Sequence, residues 1–173
     1  MVHPTPSAPQ AHEKGTVAEL VHDVVLLVTS DGALRSARVL VDDDRIDRLI
    51  FAPTLTNRTL FVQPKGALTL QRGRSYEFRV PITNLPPDPS TYLAALLPMG
   101  GTAPWVEEFL WLVPGDALLA GAKGLEPRVI RVPHSPDPSS RWDAYRLPRS
   151  ALAAAYARAL GVRLPSPKPR IPS

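Results

Sequence analysis

The chain has 173 residues, which is enough for one domain with a well-buried core and too few for two domains of the usual size. Hydrophobic residues make up 44% and charged residues 21%, as is typical of a globular domain, and no apolar run is long enough to span a membrane. The absence of cysteine excludes disulfides, thiolate catalysis and cysteine zinc sites. Because the first residues also lack the apolar core of a signal peptide, we expect a cytoplasmic protein.

The positive charge is concentrated in the C-terminal third of the chain. Residues 1–120 carry 10 basic and 13 acidic side chains, whereas residues 121–173 carry 10 basic and 3 acidic ones. A basic region of this kind can follow a phosphate backbone or another acidic surface. A solvated face with a basic tail explains the same pattern, so charge alone does not decide between them.

Composition divides the chain into one domain and two terminal segments. Residues 1–12 contain three prolines and small polar residues, which predicts a flexible arm. Residues 163–173 contain four prolines and three basic residues, which predicts a flexible basic tail. Residues 13–162 are expected to form the single domain.

The first predicted element is a helix over residues 14–29. Its apolar residues follow helical spacing, while Glu19, His22 and Asp23 lie elsewhere on the helical wheel. The spacing predicts an inward face made of Val17, Leu20, Val21, Val24, Val25 and Val28.

A series of strands follows, and a second helix ends the domain. Alternating or continuously apolar segments predict strands at 37–41, 45–51, 58–64, 75–82, 92–98, 108–114 and 128–133. The segment GDALLAG at 115–121 predicts one or two helical turns. The segment PRSALAAAYARAL at 148–160 predicts a helix, because alanine and leucine favour helix and Gly161 can end it. This order predicts an α/β sheet with helices packed on it.

Polar side chains interrupt the second and third predicted strands. Asp47 ends VDDDRID within an otherwise apolar strand, where an unpaired carboxylate is costly to bury. Gln63 and Lys65, in LFVQPKG, are two residues apart and therefore point to the same side of their strand. If the two strands are neighbours, a carboxylate, an amide and an ammonium meet at one end of the sheet. Such a trio suits phosphodiester hydrolysis, in which a carboxylate holds a hard cation and a lysine stabilises developing charge.

The segments GTVAEL, VDDDRIDRLIF and LFVQPKG together resemble the PD-(D/E)XK nuclease-like superfamily. More narrowly, they resemble its Q-x-K variant, found in Mrr-type restriction endonucleases. The resemblance implies that Asp47 is the metal-binding aspartate and Lys65 the catalytic lysine. It places Gln63 where an acidic ligand normally stands, makes Glu19 the helix glutamate that completes the metal site, and makes the carbonyl of Pro64 a further ligand.

The resemblance covers roughly residues 14–160 and carries expectations about fold and function. It implies a restriction-endonuclease-like fold, a mixed central β-sheet flanked by helices. It also implies a Mg²⁺-dependent (or Mn²⁺-dependent) endonuclease that hydrolyses DNA, with no membrane partner. Many relatives form homodimers to cut both DNA strands, so the resemblance is compatible with a homodimer. The alternatives are a catalytically inactive nuclease-fold module that binds nucleic acid or protein, and a structural or immunity-type partner protein.

Two residues depart from the superfamily pattern, and other motifs have simpler explanations. Arg48 stands beside Asp47 where an apolar residue is common, and Pro64 implies a strand edge or a distortion at the motif. Because Gln63 carries no charge, the resemblance implies that metal binding depends most on Glu19. The histidines lack zinc-ligand spacing, and His134 lies in a proline-rich segment best explained as a loop. Trp111 is expected to be a core residue, and QRGR at 71–74 a basic hairpin tip.

Overall fold

The computed structural model describes residues 11–39, 47–67, 75–83, 85–86, 88–99, 107–122, 124, 126–134 and 140–165. Its helices are α1 (Ala11–Ser30), α2 (Gly115–Leu119) and α3 (Leu152–Leu160), and three short 3₁₀ segments cover Pro89–Thr91, Arg141–Tyr145 and Arg149–Ala151. Its strands are β1 (Arg35–Arg38), β2 (Arg48–Phe51), β3 (Thr59–Ala67), β4 (Ser75–Val80), β5 (Tyr92–Pro98), β6 (Phe109–Pro114), β7 (Arg128–Pro133) and β8 (Arg146–Pro148).

Six strands form a mixed central sheet in the order β1-β2-β3-β5-β6-β8. Only the β3–β5 pair is parallel, and the other four pairs are antiparallel. The predicted mixed α/β sheet flanked by helices is thus confirmed. Strands β5 and β7 have the predicted bounds, and the other predicted strands begin or end within a few residues of the described ones. The short β8, which pairs only with β6, was not predicted.

The two faces of the central sheet are covered by different layers. Buried residues of α1 and α3 pack with Ile50, Val62 and Leu97 of the sheet on one face. On the other face, a separate antiparallel pair formed by β4 and β7 packs against residues such as Tyr92 and Trp111. The fold therefore has three layers, helices, sheet and a two-stranded sheet. Across the part of the chain that the structure describes, no helix has both the length and the apolar character needed to cross a membrane.

Helix α1 is rotated relative to the predicted inward face. Val17, Val21 and Val25 pack against the core as expected, but Leu20, Val24 and Val28 are exposed. The most deeply buried positions follow a spacing of four residues instead, and they include a histidine: Ala18, His22, Leu26 and Ser30. The prediction that the polar residues lie away from the core is therefore wrong for His22. The physical reason is that Glu19 and Asp23, which share the adjoining face of α1, form ion pairs with a buried arginine of the sheet.

The segments predicted to be terminal arms lie largely outside the described residues. Helix α1 already begins at Ala11, within the predicted arm, and the described chain ends at Pro165. The predicted hairpin tip at 71–74 also lies outside the described residues.

A glycine sets the distance between α1 and the strand that carries the Q-x-K motif. A Cβ atom added at Gly66 of β3 would lie 2.8 Å from the Ala18 Cβ and 2.9 Å from the Met99 Sδ. Real Cβ atoms do not approach other atoms this closely, so only glycine allows α1 to lie against β3 here. This contact holds the N-terminal half of α1, which carries Glu19, against β3.

We expect Gly66→Ala to lower the free energy of unfolding by about 1–3 kcal/mol, because the added methyl must push α1 away from β3. Gly15→Ala is the matched control, since a Cβ at Gly15 meets nothing within 4 Å. Alanine favours the helix by about 0.5–1 kcal/mol over glycine, so the control should gain stability. Urea unfolding midpoints measure both changes, and equal effects of the two substitutions would contradict the close contact.

Candidate functional site

Asp47 and the Q-x-K motif meet where β2 begins. Arg48 pairs with Val62 in the antiparallel register of β2 and β3. One further step of that register places Asp47 opposite Gln63. The predicted meeting of Asp47 with the motif depended on these two strands being neighbours, and they are neighbours in the sheet.

The Gln63 side chain lies on the face of the sheet that is opposite α1. It is 2% exposed, and the Tyr92 hydroxyl donates a hydrogen bond of 2.9 Å to its Oε1. Tyr92 belongs to the core cluster under β4 and β7. Because alternate residues of a strand share a face, Lys65 lies on this same side, where it is partly buried.

The electrostatic environment of Asp47 links it to both Lys65 and Glu19. Burial raises the pKa of the Asp47 carboxyl above its ordinary value, the Lys65 ammonium opposes this rise, and the Glu19 carboxylate adds to it. Burial and then the charge of Asp47 raise the pKa of Tyr92 as well, so its hydroxyl stays protonated and donates to Gln63. The structure thus brings Asp47, Gln63, Lys65 and Glu19 into one electrostatic neighbourhood.

Glu19 reaches this neighbourhood from the helical side of the sheet, where it is held by Arg48. The Glu19 Oε2 lies 2.9 Å from the Arg48 Nη1, and the Arg48 side chain is only 6% exposed. Neighbouring residues of a strand face opposite sides, so Arg48 points towards α1 while Asp47 points away from it. The same Nη1 donates a hydrogen bond of 2.8 Å to the main-chain oxygen of Asp47.

Asp23 is the second partner of Arg48 and was missed by the sequence reasoning. Its carboxylate accepts from the Arg48 Nε at 3.0 and 3.2 Å and from the Ser36 hydroxyl at 2.8 Å. Burial of Asp23 opposes ionisation, but the hydrogen bonds from His22 and Ser36 and the charge of Arg48 outweigh it and lower its pKa. The signal in the sequence was the spacing of four between Glu19 and Asp23, which places both acids on one helix face beside an arginine in an apolar strand.

A buried histidine extends this network to α3. The His22 Nε2 lies 2.8 Å from the Tyr156 hydroxyl, and its Nδ1 lies 3.2 Å from the Asp23 Oδ1. Burial, with a smaller effect of Asp23, raises the pKa of Tyr156, so this hydroxyl keeps its proton. Because the Asp23 carboxylate accepts hydrogen bonds, Nδ1 is the ring nitrogen that donates to it, and Nε2 shares the hydrogen bond with Tyr156. The network anchors α1 to α3 and to the sheet.

Pro64 lies two residues beyond Val62, where the described pairing between β2 and β3 ends, so its missing N–H removes no described hydrogen bond of that pair. It is buried, and it stays within the parallel β3–β5 register opposite Ala95. Within the described residues Pro64 is thus paired on the β5 side alone, and the expected edge or distortion stays a prediction.

The acidic residues can be tested for their fit to a magnesium ion. Within the described ranges, no three histidine, aspartate or glutamate side chains are grouped so that they could hold a metal ion. Mg²⁺ needs fewer protein ligands, because it binds through one or two carboxylates and keeps several waters. Glu19 raises the pKa of Asp47, so the two carboxylates repel each other, and a cation between them would relieve that repulsion. A Mg²⁺ site at Asp47 and Glu19 stays a prediction, because Arg48 holds Glu19 on the helical side of the sheet while Asp47 points away from that side.

The two aspartates should affect stability with opposite signs at neutral pH. A raised pKa means that ionised Asp47 disfavours the fold above that pKa, whereas a lowered pKa means that ionised Asp23 stabilises the fold until the pH falls through its pKa. We expect Asp47→Asn to raise the free energy of unfolding near neutral pH and Asp23→Asn to lower it. Both differences should shrink on acidification. Urea unfolding of the two variants at neutral and acidic pH measures this, and a change of the same sign in both would contradict it.

Comparison with known proteins identifies a structural neighbour. No protein-family model and no curated protein matches the chain. Among solved structures, the bacterial homing endonuclease I-Ssp6803I matches with a TM-score of 0.55 and 14% identity, over 88% of this chain and 93% of that one. At this identity the likeness shows a shared fold, and the fold of this chain is therefore nuclease-like.

Proposed function

We propose that this protein is a metal-dependent endonuclease that hydrolyses DNA phosphodiester bonds, built on the Q-x-K variant of the PD-(D/E)XK site. The observation that carries the proposal is the coupling of Asp47 to Lys65 and Glu19 at the junction of β2 and β3. A partly buried carboxylate with a raised pKa, beside a lysine and a second carboxylate, is unfavourable for stability and characteristic of functional sites. The nuclease-like fold supports the same reaction class.

In this proposal, the carboxylates of Asp47 and Glu19 and the main-chain carbonyl of Pro64 hold Mg²⁺ or Mn²⁺. When bound, the ion supplies a Lewis acid for the phosphoryl oxygens and a bound water of lowered pKa. Lys65 contributes the positive charge that stabilises the extra negative charge developing on phosphorus-bound oxygen. The basic C-terminal third supplies further contacts to phosphates, which gives DNA binding a dependence on salt.

Gln63 has a positioning role in this site. Its Oε1 is turned towards the Tyr92 hydroxyl at 2.9 Å, so the carboxamide orientation is fixed by a buried neutral donor. The neutral amide of Gln63 also contributes no negative charge to a bound cation. Charge at the metal therefore comes from Asp47 and Glu19, and Gln63 fills the space between the strand and Tyr92.

The test is nicking of supercoiled plasmid by the purified chain in Mg²⁺, in Mn²⁺ and in EDTA. We expect nicking with either metal, none in EDTA, and a loss of about 100-fold or more in Lys65→Ala, the usual effect of removing one group that stabilises the transition state. Arg79→Ala is the matched control, because it removes one exposed positive charge that belongs to β4 and not to the Q-x-K motif. Equal nicking by the wild type and Lys65→Ala would sink the proposed role of Lys65.

A second candidate function, an inactive nuclease-fold module that binds nucleic acid or a protein, is favoured by the arginine beside Asp47. Arg48 already occupies Glu19 at 2.9 Å, and Tyr92 already occupies Gln63, so both could be structural in a site that has lost its metal. This candidate predicts salt-dependent DNA binding or partner binding by the wild type with no nicking in either metal. The plasmid assay, run with a DNA-binding assay, separates the two functions.

A further inference from the structure

A pocket of about 220 Å³ opens on the opposite side of the central sheet from α1 and is separate from the acidic site. It lies where the ends of β5, β6 and β8 meet β4 and β7. Its described lining combines aromatic rings with a few polar groups: Tyr76, Glu107, Phe109, Trp111, His134 and Arg146. This volume is below the range of about 300–1,000 Å³ typical of drug-sized ligands, so the pocket suits a single small ring system.

The Trp111 side chain is the strongest sign that this pocket takes a ligand. It is 2% exposed, and its Nε1 is buried without a hydrogen-bond partner among the described residues. An indole N–H is a donor only, and burying it unsatisfied is costly by about 1–3 kcal/mol. Because the Nε1 has almost no accessible surface, a ligand acceptor would reach and satisfy it by displacing part of the pocket wall.

Glu107 supplies the complementary acceptor. The Tyr76 hydroxyl donates a hydrogen bond of 3.0 Å to the Glu107 Oε1. Burial first, and then the hydrogen bond and charge of Glu107, raise the pKa of Tyr76 to about 12, so this hydroxyl remains a neutral donor. A carboxylate has acceptor sites beyond that one bond, and these can receive an N–H of a ligand.

The walls of the pocket favour a flat ligand. The Arg146 guanidinium lies over the Phe109 ring at 4.0 Å and near the Trp111 ring at 5.6 Å. The His134 ring meets Tyr76 edge to face, with ring centroids 5.9 Å apart. Stacked planar groups of this kind accept a further aromatic ring.

We propose that this pocket binds one unstacked nucleobase. The base would accept a hydrogen bond from the Trp111 Nε1 and donate its amino or ring N–H to Glu107, while its faces contact the aromatic walls. An apolar ligand would leave the Trp111 N–H unsatisfied, and an anion such as a phosphate would meet the carboxylates of Glu107 and Glu108. Reading a base by hydrogen bonds to its edge and by stacking is how proteins hold bases taken out of a helix.

The position of the pocket relates it to the acidic site, and in this respect the inference rests on the proposed function. Lys65, Leu96, Trp111 and Arg146 form one row of paired residues across β3, β5, β6 and β8. Trp111 is therefore two strands from Lys65, about 10 Å at the usual strand spacing. The row places the base pocket and the phosphate-hydrolysing site on the same side of the central sheet.

The test uses a single-stranded oligonucleotide with one 2-aminopurine, a base that carries an amino donor beside a ring-nitrogen acceptor and whose fluorescence falls when it stacks. Binding is measured in EDTA, so that no cleavage occurs. We expect the wild type to quench the fluorescence and to bind an oligonucleotide with an abasic site in that position more weakly. Trp111→Phe keeps the ring but removes the N–H, and it should weaken binding by about tenfold.

Glu107→Gln is a second variant, at a residue outside the buried core. It should also weaken binding, and it tests the pocket if Trp111→Phe does not fold. Trp142→Phe, a buried tryptophan of the same core cluster outside the pocket lining, is the control and should bind as the wild type does. Unchanged binding by folded Trp111→Phe and Glu107→Gln, or equal binding of base and abasic probes, would overturn the pocket. Quenching without any plasmid nicking would overturn the nuclease proposal alone, and nicking that depends on Lys65 without quenching would overturn the pocket alone.

Discussion

The buried guanidinium of Arg48 is the interaction on which the arrangement of this protein depends. It comes from the first residue of β2 and pairs with Glu19 and Asp23 of α1, one helical turn apart. A buried cation cannot be left unpaired without a large loss of stability, so these two ion pairs fix the rotation of α1 against the sheet. That rotation buries His22, exposes Leu20 and Val24, and directs Glu19 towards the junction of β2 and β3. The helix orientation and the composition of the acidic site are thus consequences of one charge.

Asp23 and Asp47 have opposite effects on the stability of the fold when they are ionised. Asp23 receives hydrogen bonds from Arg48, His22 and Ser36, which together outweigh its desolvation and lower its pKa. Asp47, on the opposite face, is desolvated with less compensation, and its pKa is raised in spite of Lys65. A residue kept in an unfavourable environment while its neighbours are well satisfied is expected where function, and not folding, maintains it. This contrast favours a functional role for Asp47 over a purely structural one.

The sequence predicted those features that depend on local pattern and strand order. Period-two alternation was sufficient to place Gln63 and Lys65 on one side of β3, and the order of the strands was sufficient to place Asp47 next to them. The partners of Arg48 depend on how α1 approaches the sheet, and no local pattern records that approach. The valine stripe of α1 even indicated another inward face. The strands β4 and β7 resemble the central strands in composition, so their separation into a second layer could not be predicted, and the three residues of β8 are too few for a pattern.

The contacts of Arg48 also bear on whether the acidic site can accept a cation. The ion pair of Glu19 is with the Nη1 of Arg48, whereas Asp23 is held by Nε, and the same Nη1 also reaches the Asp47 carbonyl. If Glu19 turned to a metal ion, the guanidinium would keep Asp23 and the carbonyl as partners and would not become an isolated buried charge. The charge of Arg48 also lowers the pKa of Asp47 and so opposes the effect of the Glu19 carboxylate on it. The arginine beside Asp47 is therefore compatible with the proposed metal site, in which Glu19 would exchange the guanidinium for a metal ion.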